Sequence, residues 1–292
     1  MFKKVLASVA LLSAMTLAAC SSNTSDSAKA EKTQWETIQE AGVLQVATPA
    51  TLYPTSYRND DDELVGYEID MLNEIGERLG VKVEFQEIGV AEAFTSVDSG
   101  KVDIAVNSFD WTEERDEKYN LTVPYKYSVG GMIVREDGSS NITAKDLSDW
   151  TGKKAGGGAG TQYMKIAKKQ GAEPVIYDNV TNDVYLRDVS TGRTDFIPND
   201  YYTQVIAVKY ITAEFPDIKV KMGDVQYNPT KQVIVTNKKD TSVKEKLDQV
   251  ITEMMEDGTM KEISEKYYAG QDLTKQAENV DELPVIDTSD VE

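Results

Sequence analysis

The spacing of apolar residues changes along the first part of the chain in a way that predicts alternating strands and helices. In residues 66–80 the apolar positions recur every three to four residues, which predicts an amphipathic helix ending at a glycine. Residues 81–85 alternate with period two and residues 102–106 are continuously apolar, so both predict strands. With a strand over 44–47 and a helix over 91–99, the order is typical of a doubly wound parallel sheet.

The second half of the chain continues this alternation. Two extended stretches, residues 125–135 and 232–236, each follow loop-like residues that include a proline. The pattern also predicts strands at 174–177 and 194–197 and helices at 179–191, 241–257 and 260–268. The acidic residues 271–292 have no regular pattern, and we expect a flexible tail there.

The first twenty residues have the organisation of a secretory signal. Lys3 and Lys4 precede an apolar core, and Leu17-Ala18-Ala19-Cys20 forms a cleavage box. The core is too short for a transmembrane helix. The box resembles the lipobox of bacterial lipoproteins, which implies loss of residues 1–19, a lipidated Cys20 and a flexible tether over 20–34. The alternative is an ordinary signal peptide with a free cysteine.

Composition excludes several classes of function. Lys plus Arg number 31 and Asp plus Glu number 50, which gives a formal net charge of −19. This charge argues against binding to nucleic acid or to an anionic membrane surface. The chain has no histidine and one cysteine, so His-based catalytic triads, His metal sites and an intrachain disulfide are excluded. We therefore expect no metal and no cofactor.

The first candidate binding site follows the apolar run 102–106. Thr112 is a predicted helix N-cap, and Arg115 lies in the first turn of that helix. In open α/β sheets, ligands bind at this carboxyl edge of the strands. Free backbone amides and a guanidinium in the same place would face a carboxylate together. The alternative for Arg115 is a solvated surface charge.

A glycine-rich turn forms a second candidate site. Its sequence is Gly156-Gly157-Gly158-Ala159-Gly160-Thr161, and no Gly-Lys-Ser/Thr follows it, so it is not a phosphate-binding P-loop. We interpret it instead as a turn that opens onto a helix near Thr161, whose amides would bind an anion.

Residues 100–125 resemble the "Gly-x-Thr-x-Thr-x-Glu-Arg" signature of the polar amino-acid solute-binding proteins that serve ABC importers. Similar landmarks run from about residue 35 to 270 and include Leu-Val-Gly-Tyr-Glu-Ile-Asp from Leu64 and Gly-Arg-Thr-Asp from Gly192. The resemblance implies a two-lobed, periplasmic-binding-protein-like (type II) α/β fold with two doubly wound sheets joined by two crossing strands. Lobe 1 would comprise residues 35–130 and 232–270, and lobe 2 residues 131–231.

The same resemblance implies roles for individual residues. Arg115 would bind the α-carboxylate of an amino acid, together with Thr161 and the preceding Gly160 from the other lobe. Asp200, with Asn199 beside it, would bind the α-ammonium through a charge-assisted bond. For both Thr161 and Asp200 the alternative is a helix N-cap that does not contact a ligand.

Other positions depart from the family pattern. Ser108 keeps the small residue that the family has at its position, whereas Asp110 replaces the family's threonine. Leu52 and Val90 stand where many members have aromatic residues around the ligand side chain, and Gly158 replaces the lysine of glutamine-type members. We include Ser108, Asp110, Leu52 and Val90 among the expected ligand-binding residues.

The sequence thus predicts a monomeric, non-enzymatic, extracytoplasmic lipoprotein that captures an amino acid and delivers it to an ABC permease in the membrane. Asn107 followed by the aromatic Phe109 resembles the cystine-binding branch, so cystine or another polar amino acid is favoured, with a basic amino acid second because of Asp110. One alternative is a dehydratase of prephenate-like acids on the same fold, with Asp110 or Glu92 as the acid or base. Another is a sensory or adhesive surface module.

Overall fold

The computed structural model describes residues 32–142, 147, 149–278 and 280–291. Residues 33–292 form one unit. The predicted signal peptide, Cys20 and almost all of the predicted tether lie outside the described residues. None of the helices in the described ranges is long and apolar enough to cross a membrane.

Lobe 1 is built on a mixed sheet. Up to the first crossing its elements are α1 (Gln34–Ala41), β1 (Val43–Thr48), β2 (Thr51–Leu52), β3 (Ser56–Arg58), β4 (Leu64–Val65), α2 (Tyr67–Leu79), β5 (Lys82–Glu87), α3 (Val90–Asp98), β6 (Ile104–Ala105), α4 (Glu113–Lys118) and β7 (Asn120–Leu121). Strands β5, β1 and β6 pair in parallel, as the doubly wound pattern predicts. The short antiparallel sheet β2-β3-β4 has no counterpart in the predicted pattern, because its strands have only two or three residues.

Lobe 2 repeats this plan. Its elements are β8 (Lys126–Arg135), β9 (Lys154–Gly158), α5 (Gln162–Lys169), β10 (Glu173–Tyr177), α6 (Asn182–Ser190), β11 (Phe196–Asp200), α7 (Tyr201–Glu214), β12 (Val220–Met222) and β13 (Tyr227–Gln232). Strands β10, β9 and β11 are parallel, whereas β8 pairs antiparallel with β11, β12 and β13.

Two extended segments connect the lobes. The chain leaves lobe 1 through β7 and enters β8, and it returns through β13 into β14 (Val235–Thr236), which pairs with β6 and β7. The helices α8 (Ser242–Glu256) and α9 (Thr259–Tyr267) then pack on lobe 1. Strand β8 belongs to the second sheet from Lys126 onward, before the predicted boundary at residue 131.

The C-terminal segment differs from the flexible tail that the sequence predicts. Leu273 is buried in the core of lobe 1, and Ile286 is buried in the core of lobe 2. The backbone amide of Tyr127 donates to the Leu273 carbonyl at 2.8 Å, and Asn228 exchanges two hydrogen bonds with the Ile286 backbone. The apolar residues that anchor this segment are too widely spaced to follow a helix or strand period, so the pattern gave no signal.

Candidate ligand-binding cleft

A cavity lies between the lobes, where the carboxyl ends of β1 and β6 face those of β9 and β11. Its volume of about 140 Å³ is well below the ~300–1,000 Å³ typical of sites for drug-sized molecules, which indicates a small solute. Eight of the nine predicted ligand-binding residues line it. They are Leu52, Val90, Ser108, Asp110, Arg115, Thr161, Asn199 and Asp200.

The loop between β6 and α4 is held in place by the buried carboxylate of Glu68. Ser108 has a left-handed backbone (φ 46°), and both its amide and its hydroxyl donate to Oε1 of Glu68, at 2.6 and 3.2 Å. The hydroxyl of Tyr125 donates to the same oxygen. Burial raises the pKa of Glu68. Glu68 was missed from the sequence because, on the periodic helix α2, it has the pattern of a surface residue.

Arg115 is held by two backbone carbonyls, one from each lobe. Its Nη1 donates to the Asp110 carbonyl at 2.7 Å, and its Nη2 donates to the Gly160 carbonyl at 3.2 Å. The guanidinium also lies over the rings of Phe94 and Phe109. Burial lowers the pKa of Arg115, although the group stays cationic. Because a guanidinium has five N–H donors, these two bonds leave donors for a carboxylate.

On the lobe 2 side of the cleft, the side chains of Thr161 and Asn199 form hydrogen bonds with backbone groups of the same lobe. The Thr161 hydroxyl donates to the Gly158 carbonyl at 3.0 Å and accepts from the Met164 amide at 3.3 Å, so it caps α5. Oδ1 of Asn199 accepts from the Asp200 amide at 2.8 Å. Gly160 is the predicted residue that does not line the cavity; it lies on the rim, where its carbonyl contacts Arg115.

Asp200 forms a buried ion pair that the sequence did not reveal. Its Oδ2 lies 3.2 Å from Nζ of Lys126, whose side chain has no exposed surface. Lys126 also donates to the Thr203 hydroxyl, and the Thr203 amide donates to Oδ1 of Asp200 at 2.8 Å. Burial alone would lower the pKa of Lys126, but the attraction of Asp200 raises it above the ordinary value. Lys126 gave no signal because one lysine at a strand end is typical of a solvated residue.

Asp110 lines the cavity from lobe 1 and is 4% exposed. Its Oδ1 accepts a hydrogen bond from Nε2 of Gln232 at 2.9 Å, and the same nitrogen lies 3.3 Å from Oδ2 of Asp200. Burial raises the pKa of Asp110 to about 6, against the attraction of Arg115. Gln232, on β13, is a further residue that the sequence did not single out.

The remaining wall of the cavity is apolar and aromatic. The residues that sequence reasoning missed there share uncharged side chains: Phe109, Tyr163, Tyr177, Val180, Tyr185 and Ile197. Asn107 also lines the cavity, and its buried Oδ1 has no hydrogen-bond partner among the described residues. Among the described residues that line the cavity, charge is confined to Asp110, Arg115 and Asp200.

Contacts on both rims close the lobes over the cavity. On one side, Lys165 of α5 forms an ion pair with Glu114 of α4. On the other side, the ring of Tyr53 stacks on that of Tyr210 with centroids 4.3 Å apart, and the Tyr53 amide donates to Oδ1 of Asn182 at 3.0 Å. The described residues include no cluster of three or more His, Cys, Asp or Glu side chains suited to a metal ion.

Two α/β lobes, joined by crossing strands and closed over a small cavity with three charged side chains in its lining, define a two-lobed solute-binding protein. The sequence profile of the bacterial extracellular solute-binding proteins, family 3, matches residues 44–270, and the chain belongs to this family. The two-lobed fold predicted from the sequence is thereby confirmed.

Individual relatives agree with this assignment. The probable ABC transporter extracellular-binding protein YckB of Bacillus subtilis (strain 168) is 44% identical over 94% of each chain. The crystal structure of YckB matches with a TM-score of 0.66 over 87% of this chain and 99% of its own. The L-cystine-binding protein TcyA of the same organism is 28% identical over 94% of this chain and 100% of TcyA. An ancestral arginine-binding protein bound to arginine is 28% identical, with a TM-score of 0.68 over 78% of this chain and 98% of its own.

Proposed function

We propose that this solute-binding protein captures one amino acid in the cleft and delivers it to an ABC importer. The observation that carries the proposal is one small cavity in which the Arg115 guanidinium lies near two buried carboxylates, Asp110 and Asp200. An α-amino acid presents a carboxylate and an ammonium on one carbon, so it requires a cation and an anion side by side. The 44% identical relative YckB, a probable ABC transporter extracellular-binding protein, supports the delivery step.

In this proposal Arg115 binds the α-carboxylate from lobe 1, while the turn at Gly160 and Thr161 approaches it from lobe 2. Ser108 and Asn199 fix the backbone on either side of the ligand, since their side chains already bond within their own lobes. A ligand that touches both lobes binds the closed form more tightly than the open form, and this difference in affinity drives closure.

The side chain of the ligand is uncharged or has no net charge, with cystine favoured. Part of the cavity wall is apolar and consists of Leu52, Val90 and Ile197. An ionic group of the ligand that lay against this wall would be buried without a partner, which is unfavourable. TcyA is named as an L-cystine-binding protein, which supports cystine. The arginine-bound ancestral protein supports a basic amino acid as the second candidate, with Asp110 as its partner.

A thermal-shift screen of the common L-amino acids and L-cystine tests this function. A ligand that binds only the folded state raises the melting temperature by mass action. We expect the largest shift with L-cystine, and none with the Arg115→Ala variant. A shift with glutamate or aspartate and none with cystine would contradict the proposed ligand. The absence of a shift with every compound would contradict amino-acid capture itself.

We further propose that the mature protein is a monomer tethered to the outer face of the cell membrane by lipid on Cys20. The support is the Leu-Ala-Ala-Cys box that follows the basic and apolar segments. Mass spectrometry of detergent-extracted protein is expected to find a diacylated N-terminal Cys20. An unmodified chain that begins at Ser21 or later would contradict the anchor.

A further inference from the structure

We propose that Asp110, and not Asp200, binds the α-ammonium of the ligand, and that Asp200 is the permanent counterion of Lys126. This inference rests on the proposed function, since it requires an amino acid in the cleft. It reverses the roles that the family resemblance implies for the two carboxylates. The argument depends on which of the two buried anions already has a cation.

The hydrogen-bonding capacity of Asp200 is largely used within the protein. Oδ1 accepts from the Thr203 amide, and Oδ2 accepts from both Lys126 and Gln232. Lys126 is fully buried and Asp200 is 3% exposed, so neither can exchange its partner for water. Removing one partner of such a pair leaves an uncompensated buried charge, which is strongly unfavourable. A ligand ammonium at Asp200 would therefore share a carboxylate whose charge Lys126 already offsets, and it would add a second buried cation beside Lys126.

Asp110 is buried to the same degree but has no such cation. Among the described residues, no basic side chain lies within 4.0 Å of its carboxylate. The guanidinium of Arg115 donates to the backbone carbonyl of Asp110 and not to its side chain. Among the described residues, the hydrogen-bond partner of the carboxylate is the neutral amide of Gln232, on Oδ1. A buried carboxylate of this kind is completed by a cation from outside, and the α-ammonium supplies one.

The titratable groups around Asp110 are consistent with this role. Arg115 on α4 and Lys126 on β8 favour its ionised form, whereas Asp200 opposes it. Tyr163 on α5 and Tyr227 on β13 also face it, and burial raises the pKa of both phenols, so they stay neutral. Burial outweighs the two cations and raises the pKa of Asp110 to about 6. The ligand-free site thus favours the addition of positive charge at this carboxylate.

The geometry also suits a single α-carbon. The 2.7 Å bond from Nη1 of Arg115 to the Asp110 carbonyl fixes the guanidinium beside the residue that carries the carboxylate. The groups for the α-carboxylate and the α-ammonium therefore both come from residues 110–115 of lobe 1. Lobe 1 alone would recognise the charged end of the ligand before lobe 2 closes.

Two variants and a pair of ligands test the proposal. Asp110→Asn and Asp200→Asn are matched, isosteric removals of one charge each, and the ligands are L-cystine and 3,3′-dithiodipropionate, which lacks both amino groups. We expect wild-type protein to bind cystine at least about 30-fold more tightly than 3,3′-dithiodipropionate. A difference of this size is typical when one partner of a buried charge pair is removed. Asp110→Asn should reduce this preference to less than about threefold, and Asp200→Asn should keep most of it.

The opposite result for the two variants would contradict the proposal. Retention of the cystine preference in Asp110→Asn, with its loss in Asp200→Asn, would overturn the assignment. Should Asp200→Asn fail to fold, the charge-neutral double variant Lys126→Gln/Asp200→Asn takes its place with the same expectations. If wild-type protein binds none of the amino acids in the screen, the proposed function itself fails, which is a different result from this exchange.

Stability of the ligand-free protein gives a second readout. Because the folded protein holds a proton on Asp110 more tightly than the unfolded chain does, its free energy of unfolding falls as pH rises between about 4 and 6 and stays lower above that range. Ligand-free Asp110→Asn should therefore melt higher than wild type at about pH 8, with the difference shrinking as the pH falls toward about 4. Asp200→Asn should melt lower. An Asp110→Asn variant that melts at or below the wild-type temperature at pH 8 would show that its carboxylate is already compensated, and would overturn the proposal.

Discussion

The two walls of the cleft use their polar groups differently. On the lobe 1 wall, Arg115 is held by carbonyls that leave several of its donors available, and the Asp110 carboxylate is bonded, within the part of the chain that the structure describes, to the neutral amide of Gln232. On the lobe 2 wall, the Thr161 hydroxyl caps a helix and Asp200 is paired with a buried lysine. The lobe 1 wall thus presents spare guanidinium donors and a carboxylate without a cation in direct contact, whereas the Thr161 hydroxyl and the Asp200 carboxylate of the lobe 2 wall are already bonded within the protein.

This difference suggests a division of labour between the lobes. Lobe 1 provides affinity for the charged end of an amino acid, and lobe 2 provides the contacts that enclose it. Variants of the two walls should therefore fail in different ways. A lobe 1 change should abolish binding without loss of stability, and a lobe 2 change should cost stability with less effect on binding.

The largest effect is expected for Arg115→Ala. A buried ligand carboxylate that loses its charged partner costs about 3–5 kcal/mol, which is a loss of affinity of at least about 100-fold. Calorimetric titration with the best ligand from the screen measures it. Arg193→Ala is the matched control, because the Arg193 side chain is 73% exposed and lies away from the cavity. If Arg115→Ala bound the ligand within tenfold of wild type, lobe 1 would not provide the main affinity for the charged end of the amino acid.

How far the sequence predicted this site depends on the kind of signal. The helix cap at Thr112 was predicted from local sequence, and caps at Thr161 and Asp200 were the alternatives to ligand contact. In the structure each of these side chains accepts a hydrogen bond from the amide three residues on. The ion pair between Lys126 and Asp200 joins residues that are far apart in the chain. No local pattern marks such a pair, because its members become neighbours only when the crossing strand and lobe 2 are both in place.

The fold of the C-terminal segment was also not predicted, because local sequence patterns do not mark its contacts. Its acidic composition predicted a flexible tail, yet Ile286 is buried in the core of lobe 2, and the side chain of Gln162, which lines the cavity, donates to Thr288. Periodicity detects elements that bury one face, and it does not detect single anchors in an irregular segment.

The second largest effect concerns this segment. Ile286→Ala removes a buried apolar side chain from the core of lobe 2 and should lower the free energy of unfolding by about 2 kcal/mol. Val285→Ala is the matched control, since Val285 is 72% exposed and its truncation should have little effect. Thermal or urea unfolding distinguishes them. Equal stabilities of the two variants would support the flexible tail predicted from the sequence.

A smaller effect is expected for Thr161→Ala on the lobe 2 wall. Loss of the cap should destabilise the protein by about 1 kcal/mol. The same variant should bind its amino acid within about tenfold of wild type, because the hydroxyl bonds its own loop. Unfolding and calorimetry on one preparation measure both quantities. A loss of affinity as large as that of Arg115→Ala would show that the two walls contribute equally to ligand binding.

The smallest effect is expected at the rim. Lys165→Ala removes the ion pair with Glu114, whose side chain is 53% exposed, so it should weaken binding by less than about fivefold, and less at high salt. Lys118→Ala removes the other ion pair of Glu114, within α4, and serves as the control that does not join the lobes. Equal effects of the two variants on affinity would show that the rim pair does not assist closure.

The most direct test of the division between the lobes is a crystal structure of the complex with L-cystine, or with the best ligand from the screen. We expect the α-carboxylate to accept hydrogen bonds from Arg115 and the α-ammonium to lie within about 3.2 Å of the Asp110 carboxylate. The pair between Lys126 and Asp200 should remain as it is without ligand. An ammonium bonded to Asp200 with Lys126 displaced, or a carboxylate bound away from Arg115, would contradict the account.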